Sequence, residues 1–234
     1  MTMEQIEAEL SAAWKRWATE AGLPPESVVT LLAKLRVAYG DMGRPYHHFG
    51  HALEVTRECW RVFHQRETRG PAGDVCLPVL LLAALFHDVV YLPGSTQSEE
   101  LSAELAMAQA REWNWSEEWV RGVGEAIRAT RHDRLPDEHP PTARLLCDAD
   151  LASLALPWEE FLRRSLAVRQ EWFGWSDEVF WPGRQRFFQS MLDRGERLYG
   201  TEEIRGEMLG PARDNMLRFL REWNRLVPSQ SSSL

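Results

Sequence analysis

Lysine is nearly missing from this chain: Lys15 and Lys34 are the only two, every other basic residue is Arg, and no run of either occurs. Acidic residues outnumber basic ones 35 to 27, a net charge of −8, so a polymeric nucleic acid would be repelled at long range. A small phosphorylated ligand is still allowed, because it needs only a few local arginines and a metal. The Arg-for-Lys bias reads more simply as genomic composition than as a phosphate-binding device. Cysteine is scarce too. Cys59, Cys76 and Cys147 are odd in number and show no C-x-x-C spacing, which argues against a disulfide framework and a zinc knuckle and fits a reducing compartment. The opening MTMEQIEAEL lacks the basic-then-apolar layout of an export signal, so a cytoplasmic location is expected.

Long apolar runs are absent as well. The most apolar stretch, Val75 to Leu92, is interrupted by Pro78 and contains His87 and Asp88. An Asp at the centre of a bilayer would cost roughly 2.5–3.5 kcal/mol, so the stretch reads as a buried core helix, and no membrane association is expected. No Gly-rich phosphate loop, G-x-S-x-G elbow or nucleophilic Cys motif is present, which leaves P-loop, serine and cysteine hydrolase designs unsupported. Period-2 alternation and internal repeats are missing, which disfavours sheet and solenoid architectures.

What is present is helical periodicity and a large apolar fraction. With 234 residues, 44% of them hydrophobic, and 11 Trp and 9 Phe, the chain can bury one sizeable core. An all-α single domain over residues 1–227 is expected, a helical bundle or orthogonal array, with the PSQSSSL tail (228–234) read as disordered. Ile6, Leu10, Trp14 and Trp17 form one stripe, and Val28 to Tyr39 form the next. His51 opens a helix after a Gly/Pro loop. A core helix runs from about Leu80 to Pro93-Gly94, and Thr96 to Glu99 fits a capping box leading to Trp113. Further helices are expected from Ser116, over Thr142–Leu156, Pro157–Phe173 and Glu178–Leu198, and from Pro211 to Leu226.

Chemistry concentrates at His87-Asp88, an imidazole and a carboxylate at the end of an apolar helix. Burying them is costly unless something pairs with them. A divalent cation would do so, and so would a salt bridge or a helix-terminal hydrogen bond. A His-Asp pair alone is weak evidence, since about 0.3 such pairs arise by chance at this composition. The second pair, His132-Asp133, sits between two arginines in a polar stretch where solvation suffices.

The ordered pieces RPYHHFGHALEV, LLLAALFHDVVY, SEELSAELA, AIRATRHD, LLCDADLASL and VRQEW, spanning about 44–172, resemble the HD superfamily of metal-dependent phosphohydrolases, and within it a bacterial subgroup. The resemblance implies an HD-type helical domain and a divalent metal (Mn, Fe, Co, Ni, Zn or Mg) ligated by His51, His87, Asp88 and Asp150. Asp150 is taken over Asp148 because the family's ligand is the Asp of an Ala-Asp pair. Hydrolysis of a phosphomonoester or pyrophosphate bond in a nucleotide or related small metabolite is then expected, with Glu99 and His132 as catalytic residues beside Asp88. Glu99 is a general base on this reading and a capping acid otherwise. His132 is a base behind the ligands, a phosphate contact, a second-metal ligand, or simply a solvated loop residue. His47, Arg44, Arg128 and Arg169 are the candidate substrate contacts, although Arg169 could instead pair with Glu171. Two positions depart from the subgroup: His48 and Ser98 stand where it has Asn. A non-catalytic regulatory module on the same fold is the alternative, and a buried ionic network without a metal is a third possibility.

Overall fold

The computed structural model describes residues 3–40, 43–69 and 73–226. Among them are eleven α-helices and no strand: α1 Met3–Glu9, α2 Ser11–Glu20, α3 Pro25–Gly40, α4 Phe49–Arg69, α5 Leu77–Phe86, α6 Ser98–Glu112, α7 Glu117–Ala129, α8 Pro141–Asp150, α9 Trp158–Glu171, α10 Asp177–Asp193 and α11 Glu202–Leu226. The all-α expectation is met. The PSQSSSL tail lies outside the described residues.

Helix α5 is the hub because its sequence leaves it no polar face. All ten residues from Leu77 to Phe86 are buried, and it packs against α2, α4, α6, α7 and α8. Each fully buried Leu here contributes roughly 2 kcal/mol of transfer free energy. Pro78 starts this helix rather than interrupting it, since it occupies the first turn, where a missing N–H costs nothing.

Several expected boundaries move, each for a local reason. The Ile6–Trp17 stripe divides at Leu10 into α1 and α2. Helix α5 stops at Phe86, well before Pro93, and His87 takes the C-cap position. Helix α8 ends at Asp150, and a 3-10 turn over Leu151–Ala155 completes the expected Thr142–Leu156 segment. The last helix begins at Glu202 rather than Pro211. There Ile204, Ala212, Met216 and Phe219 are all fully buried on one stripe, and that packing outweighs the backbone hydrogen bond lost at an internal proline.

No described helix is long and apolar enough to cross a membrane. All three cysteines are free.

Candidate metal centre

The end of α5 places His87 and Asp88, and the surrounding sequence fixes the turn that follows. A helix C-terminus leaves carbonyls unsatisfied. Here the Tyr39 hydroxyl donates to Leu85 O (2.9 Å), and Arg44 Nη1 donates to Asp88 O (2.9 Å) and Val89 O (3.2 Å). Ser102 and Ser98, one turn apart on α6, accept from the backbone N–H groups of Val90 (3.1 Å) and Leu92 (3.0 Å). The Ser98 departure from the subgroup pattern therefore has a structural use. Arg44 is likewise engaged with the backbone behind the His-Asp pair.

Four side chains from two helix ends and one turn converge. His51 lies in the first turn of α4, Asp150 at the last residue of α8, and His87-Asp88 just past α5. One ligand atom from each lies within 4.8 Å of the others. His51 Nε2 is 3.2 Å from Asp150 Oδ1 and 3.6 Å from Asp88 Oδ2. His87 Nε2 is 3.0 Å from Asp88 Oδ2 and 3.5 Å from Asp150 Oδ1. Ligands bonded at about 2.1 Å in adjacent octahedral positions would stand roughly 3 Å apart, so the cluster has the dimensions of one cation's coordination shell.

The orientation of His87 agrees with that chemistry. Its Nδ1–H donates to Ala84 O (2.8 Å), which turns Nε2 toward the carboxylates. Nε2 is buried and has no hydrogen-bond partner among the described residues, despite the nearby oxygens. At 3.0 Å from Asp88 Oδ2, that nitrogen makes an ion pair with the carboxylate when protonated and offers its lone pair to a cation when neutral. Burial opposes charge on His87, but Asp88 and Asp150 outweigh it and hold the imidazole pKa well above its ordinary value. Burial likewise opposes ionisation of Asp88, yet His87 and His47 bring its pKa down to about 2. For Asp150, the hydrogen bonds from His132 and His51 and the nearby His87 imidazole overcome burial and lower its pKa far below the carboxylate range.

Asp148 is elsewhere. Two residues along a helix is about 200° of rotation, so it faces the opposite side, where its carboxylate accepts from Gly200 N (3.1 Å) and Thr201 N (2.5 Å).

His132 stands against the cluster rather than in solvent. Its Nε2–H donates to Asp150 Oδ2 (2.8 Å), leaving Oδ1 toward the two imidazoles. The residue adopts φ +54°, a conformation rare outside glycine, and its carbonyl is held by Arg194 Nη2. His132→Ala is expected to weaken metal affinity about 10- to 100-fold, the usual cost of removing a group that orients a ligand, which titration with Mn or Zn would measure.

A cavity of about 530 Å³ opens onto the centre and is lined by Asp88, Asp150, His132, His47 and Glu99 at that end. Glu99 does not form the expected capping box. Gln97 is the N-cap residue of α6 without a side-chain cap bond, and Glu99 Oε2 is buried with no hydrogen-bond partner among the described residues. Arg131 Nε lies 3.7 Å from it.

His47 stacks on Tyr91 at 3.8 Å between ring centroids and is bonded through Nδ1 to Glu171, whose other oxygen accepts from the Tyr46 and His47 N–H groups (both 2.7 Å). His48 is turned away over Gly50. Glu171 thus holds the loop before α4 and does not pair with Arg169.

The three arginines named as candidate substrate contacts, each of which could equally be structural, do not line the cavity. Arg128 forms a double hydrogen bond with Glu100 (2.8 and 2.7 Å), Arg169 is spent on Asp177 and the Trp172 and Trp175 carbonyls, and Arg44 is on the backbone as described. Each satisfies a structural partner instead. Arg184 and Arg186 of α10 line the cavity in their place, with Tyr46, Tyr91, Trp172 and Phe187.

No family model matches the chain, and no curated protein matches it. The site therefore stands on its own geometry: a His/Asp group positioned to hold a metal ion.

Proposed function

We propose that this protein is an HD-type, metal-dependent phosphohydrolase acting on a small phosphorylated metabolite. The observation that carries the reading is the convergence of His51, His87, Asp88 and Asp150 within one coordination shell, at the end of a cavity that also holds the Glu99 carboxylate, whose buried Oε2 accepts no hydrogen bond and lies 3.7 Å from Arg131. The resemblance of the six sequence pieces to the HD superfamily supplies the reaction class.

A divalent ion bound there would polarise a phosphoryl oxygen and lower the pKa of water at the site. The protein's own groups then have distinct tasks. His51, His87, Asp88 and Asp150 hold the ion. His132 fixes which oxygen of Asp150 faces it. Hydrolysis forms one P–O bond to water and breaks one to the leaving group. Glu99 takes the proton that water must lose and returns it to the departing oxygen. No protein nucleophile is required.

The test is metal analysis of the purified protein, followed by a phosphate-release screen over nucleotides and simple phosphoesters with the metal found. Protein that turns over substrate equally well after complete metal removal would refute the reading. Metal retention with no turnover of any member of the panel, together with tight binding of one, would favour the non-catalytic module.

A further inference from the structure

Arg184 is the cavity's unexplained charge. It lies on α10, one turn before Phe187 and Phe188, and its guanidinium carbon sits 5.1 and 4.5 Å from their ring centroids. Those contacts hold it flat without neutralising it. Its Nε is buried and has no hydrogen-bond partner among the described residues. Burial lowers its pKa, while Tyr46 and Tyr91, the cavity-wall phenols beside the metal centre, act in the other direction. A planar guanidinium whose buried Nε is unpaired, in a partly desolvated pocket, is suited to a doubly charged oxyanion.

The remainder of the wall is aromatic and continuous. Tyr46 is 4.7 Å from the His51 ring and 4.6 Å from His47, and His47 stacks on Tyr91. Trp172 Nε1 donates to the Tyr91 hydroxyl (3.0 Å). Trp172 in turn meets Trp175 and Phe180, each at 5.5 Å. With Trp172 bonded to Tyr91, the Tyr46 hydroxyl on Ser153 and His47 Nδ1 on Glu171, these rings offer mainly faces and apolar surface.

Building on the hydrolytic reading above, we infer that the substrate is a phosphomonoester bearing a planar ring, its phosphoryl gripped by Arg184 across from the metal centre and its ring taken by the Tyr91–Trp172 wall. The charges lining the cavity fit one dianion. Asp88 and Asp150 offset a divalent ion and Glu99 faces Arg131, so Arg184 and Arg186 are left with a charge of +2, enough for one dianion and too small for a polyphosphate chain.

Non-hydrolysable phosphonates separate the parts. Methyl-, benzyl- and 2-phenylethylphosphonate would be titrated calorimetrically into the metal-loaded protein, with retained metal content as the check on folding. At least one ring-bearing compound should bind about tenfold more tightly than methylphosphonate, and Trp172→Leu should erase that difference. Arg184→Gln should weaken all three by about 10- to 100-fold, with partial recovery in Arg184→Lys. Equal affinities across the series, or an Arg184→Gln variant binding methylphosphonate as the native protein does, would overturn the inference while phosphate release from the substrate panel left the hydrolytic reading intact. The expected binding order with no turnover of phenyl phosphate or nucleoside monophosphates would instead overturn hydrolysis and leave the binding assignment standing.

Discussion

Replacing His87 by Ala is expected to yield a folded protein that retains no metal and releases phosphate about 10³-fold more slowly, since a Lewis acid supplies several kcal/mol and each 1.36 kcal/mol is tenfold. The effect is large because the donor set has no redundancy. His87 Nε2 is buried, its orientation is set by Ala84 O, and among the described residues no other imidazole is directed at both Asp88 and Asp150 except His51, already in the set, and His132, which meets only the far oxygen. Asp88→Asn keeps the volume while removing the charge, and should reproduce the loss. Metal content by elemental analysis and fold by circular dichroism check the result together, and a folded His87→Ala protein with a full complement of metal would exclude the assignment. A pH dependence follows. The raised His87 pKa means that a proton occupies the nitrogen the cation needs. Metal binding must therefore expel that proton, and apparent affinity should fall as pH is lowered.

Of the four residues that could hold a metal, His51 and His87-Asp88 were legible from their places at helix ends, whereas Asp150 was read inside a helix over Thr142–Leu156 and was singled out only by the Ala-Asp resemblance. His51 follows a Gly/Pro loop, and His87-Asp88 follow an uninterrupted apolar run. The end of that run was misplaced: the apolar pattern continues through Val89, Val90 and Leu92, and pattern alone cannot separate a helix from an apolar turn that follows it, although Leu92 is exposed. The arginines were less legible for a related reason. Arg44, Arg128 and Arg169 stood inside recognisable pieces, but an Arg is recruited by whichever acceptor the fold leaves unpaired. Here those acceptors were a helix-end carbonyl, Glu100 and Asp177. Arg184 lay beyond the last recognisable piece, in WPGRQRFF, and only the packing of α10 over the cavity distinguishes it from its neighbours. Tyr46, Tyr91 and Trp172 did lie within quoted pieces, yet aromatic residues at helical spacing are usually core. Their position along one wall is a tertiary fact.

Asp148 and Asp150, two residues apart, should separate cleanly. Asp150→Ala is expected to abolish metal binding. Asp148→Ala should keep the metal and lose about 2–4 kcal/mol of stability, because the N–H groups of Gly200 and Thr201 lose their acceptor and Thr201 is buried. The pH dependence carries the opposite sign from that of an ordinary ion-paired carboxylate. Burial raises the Asp148 pKa to about 6, against the hydrogen bonds that favour its charged form. The folded protein thus holds this proton more tightly than the unfolded chain, whose Asp titrates near 3.9. The linked stabilisation is complete below about pH 4 and is lost as pH rises through about 6, amounting to roughly 3 kcal/mol at the upper end. Asp148→Asn, which cannot ionise, should lack this slope. Urea unfolding of the native protein and Asp148→Asn at pH 4.5 and pH 8 would isolate it, since titrations elsewhere cancel in the difference. Parallel pH profiles would mean that the two backbone donors hold Asp148 ionised throughout, and a loss of metal in Asp148→Ala would return it to the ligand set.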